Sequence, residues 1–88
     1  MHAMETELDG DPLFEPGDKV KALRAVRNDG TYPGVPMGGY LLKGGEIGYV
    51  KSVGTYLNRY WIYAVDFVEP GIKIGMRGSE LEDLEDRS

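Results

Sequence analysis

Side chains that could carry catalysis are scarce in this chain. It has no cysteine and a single histidine, His2, which lies in an acidic terminal stretch. Without cysteine the chain offers no disulfide, no thiolate nucleophile and no cysteine-ligated zinc or iron–sulfur site. A nucleophile–histidine pair needs its base held within hydrogen-bond distance, and no motif around His2 would hold it there. Composition therefore argues against nucleophilic catalysis and against thiolate metal sites.

The carboxylates and glycines do not form a catalytic or phosphate-binding motif either. Paired-carboxylate chemistry needs two acids in a shaped cleft, but eleven of the fifteen acids lie within residues 1–18 and 79–88. The glycine-rich residues 28–45 match neither G-x-x-x-x-G-K-[ST] nor G-x-G-x-x-G. No stretch has the spacing of a calcium loop. We therefore expect a protein that is not an enzyme and that needs no cofactor or metal.

Groups suited to binding are concentrated beside one turn. Two arginines precede the string Asn28-Asp29-Gly30-Thr31, and a guanidinium next to an ordered loop suits a carboxylate or phosphate on a partner. Tyrosines near the loop add surfaces of the kind that hold peptides. The alternative is that the asparagine and aspartate only fix the turn and the tyrosines fill the core. The predicted partner-binding residues are Arg24, Arg27, Asn28, Asp29, Tyr32, Tyr40 and Tyr60.

Short strands and close turns surround this loop. Residues 28–45 contain six glycines and two prolines, too many for one regular element, which predicts a long loop. Ser79 can cap a short helical turn that runs through Leu84. These features predict an all-β fold, a small SH3-like barrel of about five strands whose closure removes exposed edges. Alternation of apolar residues places strands at residues 19–27, 46–56, 60–68 and 72–77.

Local patterns refine three of these elements. A shift in apolar parity within residues 19–27 indicates a β-bulge. Trp61, Tyr63, Val65 and Phe67 share one face of the clearest strand. Turns are predicted at residues 14–18, 57–59 and 69–71, where proline, glycine and asparagine supply the backbone angles that tight turns need.

The net charge of −5 hides a segregation along the chain. Residues 1–18 carry six acids and no Lys or Arg, residues 19–78 carry nine bases against four acids, and residues 79–88 carry five acids and one arginine. The acidic ends are interpreted as solvated tails, or as segments that screen the basic body. We predict a disordered tail at 1–13, a domain at 14–84 and a short tail at 85–88. With no secretion signal and no long apolar run, a cytoplasmic location is expected.

Several strings in the chain resemble the NifZ family of nitrogenase maturation factors, over about residues 14–84. The most specific is Arg24-Ala25-Val26-Arg27-Asn28-Asp29-Gly30-Thr31. Others are Phe14-Glu15-Pro16-Gly17-Asp18-Lys19-Val20, Gly45-Glu46-Ile47-Gly48-Tyr49-Val50, Gly54-Thr55-Tyr56-Leu57, Ile62-Tyr63-Ala64-Val65-Asp66-Phe67 and Ile74-Gly75-Met76-Arg77.

The resemblance implies an assembly chaperone for the nitrogenase molybdenum–iron protein, acting in maturation of its P-cluster from paired four-iron precursors. The implied partners are the subunits of that protein or other nitrogenase maturation proteins, with no membrane and no small-molecule substrate. Because the chain lacks cysteine, such a helper would bind the subunits rather than hold a cluster. Two alternatives stay open: a general protein-binding or redox-enzyme accessory domain of the SH3-like kind, and a weak nucleic-acid-binding domain, which the basic body suggests.

Overall fold

Strands account for nearly all of the regular structure, which confirms the all-β prediction. A computed structural model describes residues 10–85. Five strands form one antiparallel sheet in the order β6-β5-β4-β1-β7, and β2 pairs with β3 in a separate hairpin. The elements are β1 (Lys19–Ala22), β2 (Val26–Arg27), β3 (Tyr40–Leu42), β4 (Ile47–Tyr56), β5 (Tyr60–Phe67), β6 (Ile72–Arg77), a 3-10 helix (Gly78–Glu80) and β7 (Leu81–Asp83).

The five-stranded sheet is open, so the predicted closure into a barrel is wrong. The outer strands β6 and β7 each pair on one side, and within residues 10–85 no ladder joins them. The short β7 follows directly after the 3-10 helix and pairs with β1. At the edge of β6, the Lys73 amide donates a long hydrogen bond of 3.4 Å to the Tyr32 hydroxyl. The loop between β2 and β3 thus contacts this edge where a closing strand would lie.

The predicted first strand is divided between the two sheets. β1 ends at Ala22, and the chain resumes as β2 at Val26, which pairs with Leu42. The parity shift therefore marks a change of sheet, and the register irregularity within residues 19–27 comes later, between Val26 and Arg27 in the pairing of β2 with β3. A bulge does occur in β4, where the register with β5 shifts between Val50 and Ser52. The loop predicted over residues 28–45 also contains β3.

The predicted helical turn after β6 is shorter than expected. It is a 3-10 helix that ends at Glu80, because Leu81 is buried and pairs with Ala22 in the next strand. Its capping residue is Arg77 rather than Ser79, and the Arg77 amide donates to the Glu80 carboxylate over 2.9 Å. Burial of a leucine on the sheet thus outweighs the local preference for helix.

The core lies under the inner face of β5, as its alternation predicted. Tyr63, Val65 and Phe67 are buried, whereas Trp61 is half-buried at the start of the strand. The rings of Tyr63 and Phe14 pack edge to face with centroids 5.2 Å apart. The remaining buried residues of the core are Val20, Ala22, Leu41, Leu42, Val50, Ile72, Met76 and Leu81.

The three predicted turns are present. Gly17 has a φ of 97°, and the Asp18 amide donates to the Glu15 carbonyl over 3.0 Å. Leu57 and Asn58 both have positive φ, which suits the tight hairpin between β4 and β5. After β5, Gly71 has a φ of 69° and donates to the Phe67 and Val68 carbonyls.

The described residues, 10–85, contain no helix with the length and apolar character that a membrane span requires.

Candidate functional site

Asn28 organises the loop between β2 and β3 from the inside. Its side chain is 2% exposed, and its amide group donates to the carbonyls of Tyr32 (3.0 Å) and Val35 (2.7 Å). Its side-chain oxygen accepts from the amides of Gly30 (3.1 Å) and Tyr32 (3.0 Å). Its own amide and carbonyl bond to Gly39 and Gly38. One buried side chain therefore satisfies four backbone groups of the loop and determines its shape.

Next to this buried anchor, an arginine and a tyrosine form an exposed pair. Arg27 in β2 lies opposite Tyr40 in β3, and its guanidinium carbon is 4.5 Å from the centre of the tyrosine ring. The guanidinium also donates to the tyrosine hydroxyl over 2.8 Å. Tyr40 remains 49% exposed. The ring and hydroxyl hold the guanidinium in a fixed position, and an arginine stacked in this way keeps further N–H donors for a carboxylate on a partner.

Asp29 and Tyr32 also have defined positions in the loop. The Asp29 carboxylate accepts from the Thr31 hydroxyl (2.6 Å) and the Thr31 amide (3.1 Å). These bonds stabilise the charged form, and the side-chain bond contributes most to lowering the pKa of Asp29. Tyr32 is half-buried against the core and reaches β6 through its hydroxyl. Both residues therefore hold the loop in place, as the alternative interpretation of the turn proposed.

The other two predicted residues lie outside this loop. Arg24 is exposed in the segment between β1 and β2, 3.9 Å from the Glu80 carboxylate. Tyr60 begins β5 in the large sheet, and its ring centre is 3.9 Å from the guanidinium carbon of Arg77. The structure thus brings Arg27, Asn28, Asp29, Tyr32 and Tyr40 together on one hairpin loop. We call these five residues the loop surface; Arg27, Asp29 and Tyr40 are its exposed members, Tyr32 is half-buried, and Asn28 is its buried anchor.

One exposed apolar patch in the structure is not among the predicted binding residues. Ile47 and Tyr49 lie on the outer face of β4, and with Val68 and Glu69 they line a shallow depression of about 320 Å³. The signal was visible as apolar residues on both faces of β4, but strand alternation alone does not show which residues stay uncovered. Among residues 10–85, no three His, Asp or Glu side chains meet as a group that could hold a metal ion.

Glu46 fixes the turn that leads from the loop into β4. Its two carboxylate oxygens accept from the amides of Lys43 (2.7 Å) and Gly44 (2.8 Å). Desolvation alone would raise the pKa of Glu46, but the backbone hydrogen bonds and the nearby Lys43 charge together lower it. The charged form of Glu46 is therefore favoured in the folded protein.

We expect Glu46→Gln to lower the free energy of unfolding by about 1 kcal/mol at pH 7, because a neutral amide accepts these bonds less strongly. A folded-state pKa below the unfolded value of about 4.3 means that this stability is present above pH 4.3. It is lost as the pH falls through the lower, folded-state pKa. Urea unfolding at pH 7 and pH 3 measures the difference, which should shrink at pH 3. Glu69→Gln, in the exposed turn after β5, is the matched control, and an equal loss in both variants would contradict the assignment.

Comparison with known proteins places the chain in a family. The profile of the NifZ domain matches residues 11–83, which is most of the chain. The chain belongs to the NifZ family. It is 46% identical over 80 residues to a putative NifZ protein of Sinorhizobium fredii, a match that covers 91% of this chain and 74% of the relative.

Two further NifZ relatives match most of this chain but are covered to different shares of their own length. The probable NifZ protein of Rhodobacter capsulatus is 44% identical over 72 residues, covering 82% of this chain and 92% of the relative. Protein NifZ of Azotobacter vinelandii is 51% identical over 70 residues, but these cover 80% of this chain and 44% of the relative. No solved structure matches the chain significantly. Membership of the NifZ family implies a role related to nitrogen fixation and suggests a non-catalytic one.

Proposed function

We propose that this NifZ chain is an assembly chaperone in P-cluster maturation of the nitrogenase molybdenum–iron protein, and that it binds its partner through the loop surface. The family supports the process, because NifZ membership implies involvement with nitrogenase maturation. The observation that supports the surface is the exposed Arg27–Tyr40 pair on a loop anchored by the buried Asn28. A loop surface held in this way contributes to binding with little loss of conformational entropy.

The chemistry of the partner follows from the exposed groups of the loop surface. Arg27 presents a positive charge, and Tyr40 presents a half-exposed ring beside it. Arginine and tyrosine are the residue types that most often dominate binding energy at interfaces. The complementary surface would carry a carboxylate and an apolar contact. By binding one conformation of the partner more tightly, the chain would raise the population of that conformation during assembly.

We expect Arg27→Ala to weaken retention of the molybdenum–iron protein at least tenfold, because it removes the charge and exposes the Tyr40 ring. The measurement is a pull-down with the tagged full chain from a nitrogen-fixing extract. Arg59→Ala is the matched control, since Arg59 is an exposed arginine in the turn between β4 and β5. Thermal unfolding of both variants tests that the fold is retained.

Two results would overturn the proposal. The first is equal recovery of the molybdenum–iron protein by the Arg27 and Arg59 variants, which would exclude the loop surface as the binding site. The second is normal P-cluster content and nitrogenase activity in a strain lacking the gene, together with no recovery of the protein by the unmodified chain. That combination of results would exclude the proposed role in assembly.

A further inference from the structure

The segment that precedes the first strand lies across β5, and hydrogen bonds to its own main-chain groups hold it there. The Trp61 indole N–H donates to the Gly10 carbonyl over 3.2 Å, and the Leu13 amide donates to the Tyr63 hydroxyl over 2.8 Å. Both bonds join an aromatic side chain of the sheet to a main-chain group of the segment. We call residues Gly10–Leu13 the strap. The strap belongs to the predicted tail at 1–13, of which residues 1–9 lie outside the described part of the chain.

The surface beneath the strap is shaped to receive it. Gly78, at the start of the 3-10 helix, lacks a side chain where the strap passes. A Cβ on Gly78 would come within 2.9 Å of Leu13 Cδ1 and 3.5 Å of Tyr63 Cε2. We call Trp61, Tyr63 and Gly78 the strap groove. It combines two aromatic side chains, their polar groups bonded to the backbone of the strap, and a glycine that leaves room for Leu13.

The strap rests on this groove without being part of the core. Leu13 is 65% exposed, and Pro12 is exposed as well, whereas the next residue, Phe14, is 5% exposed and anchors the chain. An exposed segment outside helices and strands is at the low end of local stability. The strap can therefore leave the groove while Phe14 and the sheet stay in place.

The geometry points to a peptide-binding surface that the chain occupies with its own strap. Aromatic grooves that bond to the backbone of an extended, proline-containing segment are a recurring mode of peptide recognition. We propose that the strap groove binds an extended partner segment in which an acidic residue, a proline and an aliphatic residue follow one another. That is the order of Asp11, Pro12 and Leu13 in the strap. The partner segment replaces the strap and takes over its bonds to Trp61 and Tyr63.

The strap competes with this partner segment. Because it is attached to the anchored Phe14, its effective concentration at the groove is high, in the millimolar range for a short tether. A segment in trans binds only to the fraction of molecules whose groove is open, so its apparent affinity falls by that fraction. Any change that weakens the strap without altering the groove strengthens binding in trans.

The probe is a synthetic peptide with the sequence of residues 7–13, acetylated and amidated, added to the full chain. Trp61 is the single tryptophan, so one indole N–H resonance reports the state of the groove. We expect Leu13→Ala to shift this resonance and to bind the probe at least fivefold more tightly than the unmodified chain. Leu23→Ala, which also truncates an exposed leucine, is the matched control and should bind the probe as the unmodified chain does.

A second variant and a second peptide keep the test specific to the groove. Gly78→Ala fills the room left for Leu13 and should abolish the effect of the probe on the indole resonance, and a probe with proline and leucine replaced by glycine should not bind. Any of three results overturns the proposal. The probe leaves the indole resonance of the Leu13→Ala chain unchanged, the Leu13→Ala chain and the unmodified chain bind the probe equally, or the Gly78→Ala chain also binds the probe. None of these outcomes bears on the loop surface, because Arg27 and Tyr40 lie on the hairpin formed by β2 and β3.

Discussion

Gly48→Ala is expected to lower the free energy of unfolding by about 3 kcal/mol or more, since this glycine lies where three strands pack closely. A Cβ on Gly48 would be 2.6 Å from Val65 Cγ1, and 2.9 Å from both the Asp66 carbonyl oxygen and Phe67 Cδ1. Overpacking a core costs about 1–3 kcal/mol and sometimes more. Here one of the atoms that must yield is backbone, so β4 would have to move away from β5. Urea unfolding of the variant measures the loss.

The same strand offers a matched control at Gly54. Its backbone has no positive φ, and a Cβ there would meet no atom within 4 Å. Gly54→Ala should leave stability within about 0.5 kcal/mol or raise it slightly, because alanine has less backbone freedom to lose on folding. If both variants lost stability equally, the close packing at Gly48 would not be the cause.

The role of Gly48 does not follow from local sequence pattern. In the sequence it is one of several glycines that interrupt an apolar stretch. In the structure it pairs with Val20 of β1 on one side and with Phe67 of β5 on the other. Its lack of a side chain lets β5 pack closely against β4. That requirement comes from residues far apart in the chain, so local composition does not reveal it.

The strands that were well predicted are those bounded by local turn signals. β5 and β6 begin and end within one residue of expectation, because the alternation of apolar residues and the intervening turn residues act within a few positions. β7 and the division of the first strand were not predicted. Both depend on pairing with distant residues, as when Leu81 pairs with Ala22, and such pairing overrides local propensity.

In the candidate site, too, contacts between neighbouring residues were predictable from the sequence, whereas contacts that depend on strand pairing were not. The string from Asn28 to Thr31 predicted side-chain bonds to the local backbone, and the structure contains them. The contact of Arg27 with Tyr40 depends on the register of β2 with β3, which the glycine-rich loop hides. Tyr60 is predicted to lie near the loop and the turn at residues 57–59, and in the structure it stacks against Arg77 on the large sheet. Partner binding by these residues stays a prediction that only binding measurements test.

The charge segregation has a partial structural explanation. Lys21 of β1 is 3.6 Å from Glu82 of β7, and Arg24 is 3.9 Å from Glu80. Two acidic residues near the C-terminal end thus lie beside a base of β1 and a base of the segment that follows it. Exposed pairs of this kind add little stability. They do place acids beside bases that a nucleic-acid phosphate would otherwise contact, which weakens the case for nucleic-acid binding.

Asn28→Ala is the other variant for which we expect a large effect, on stability and on partner binding together. It leaves the carbonyls of Tyr32 and Val35 and the amides of Gly30 and Tyr32 without their partners inside the loop. Each unsatisfied buried group costs about 1–3 kcal/mol, although water entering a loosened loop recovers part of this. We expect a loss of about 2–3 kcal/mol in urea unfolding and at least tenfold weaker retention of the partner. The five-stranded sheet should persist, with raised hydrogen exchange in the loop.

Asp29→Ala is the control that separates the buried anchor from its exposed neighbour. The Asp29 carboxylate accepts hydrogen bonds from the exposed Thr31, so its loss should loosen the turn without exposing buried backbone groups. Its effect on stability and on hydrogen exchange in the loop should be clearly smaller than that of Asn28→Ala. If Asn28→Ala kept full partner retention despite a disordered loop, partner binding would not depend on the shape of this loop. Asn28 would then matter for the stability of the NifZ domain alone.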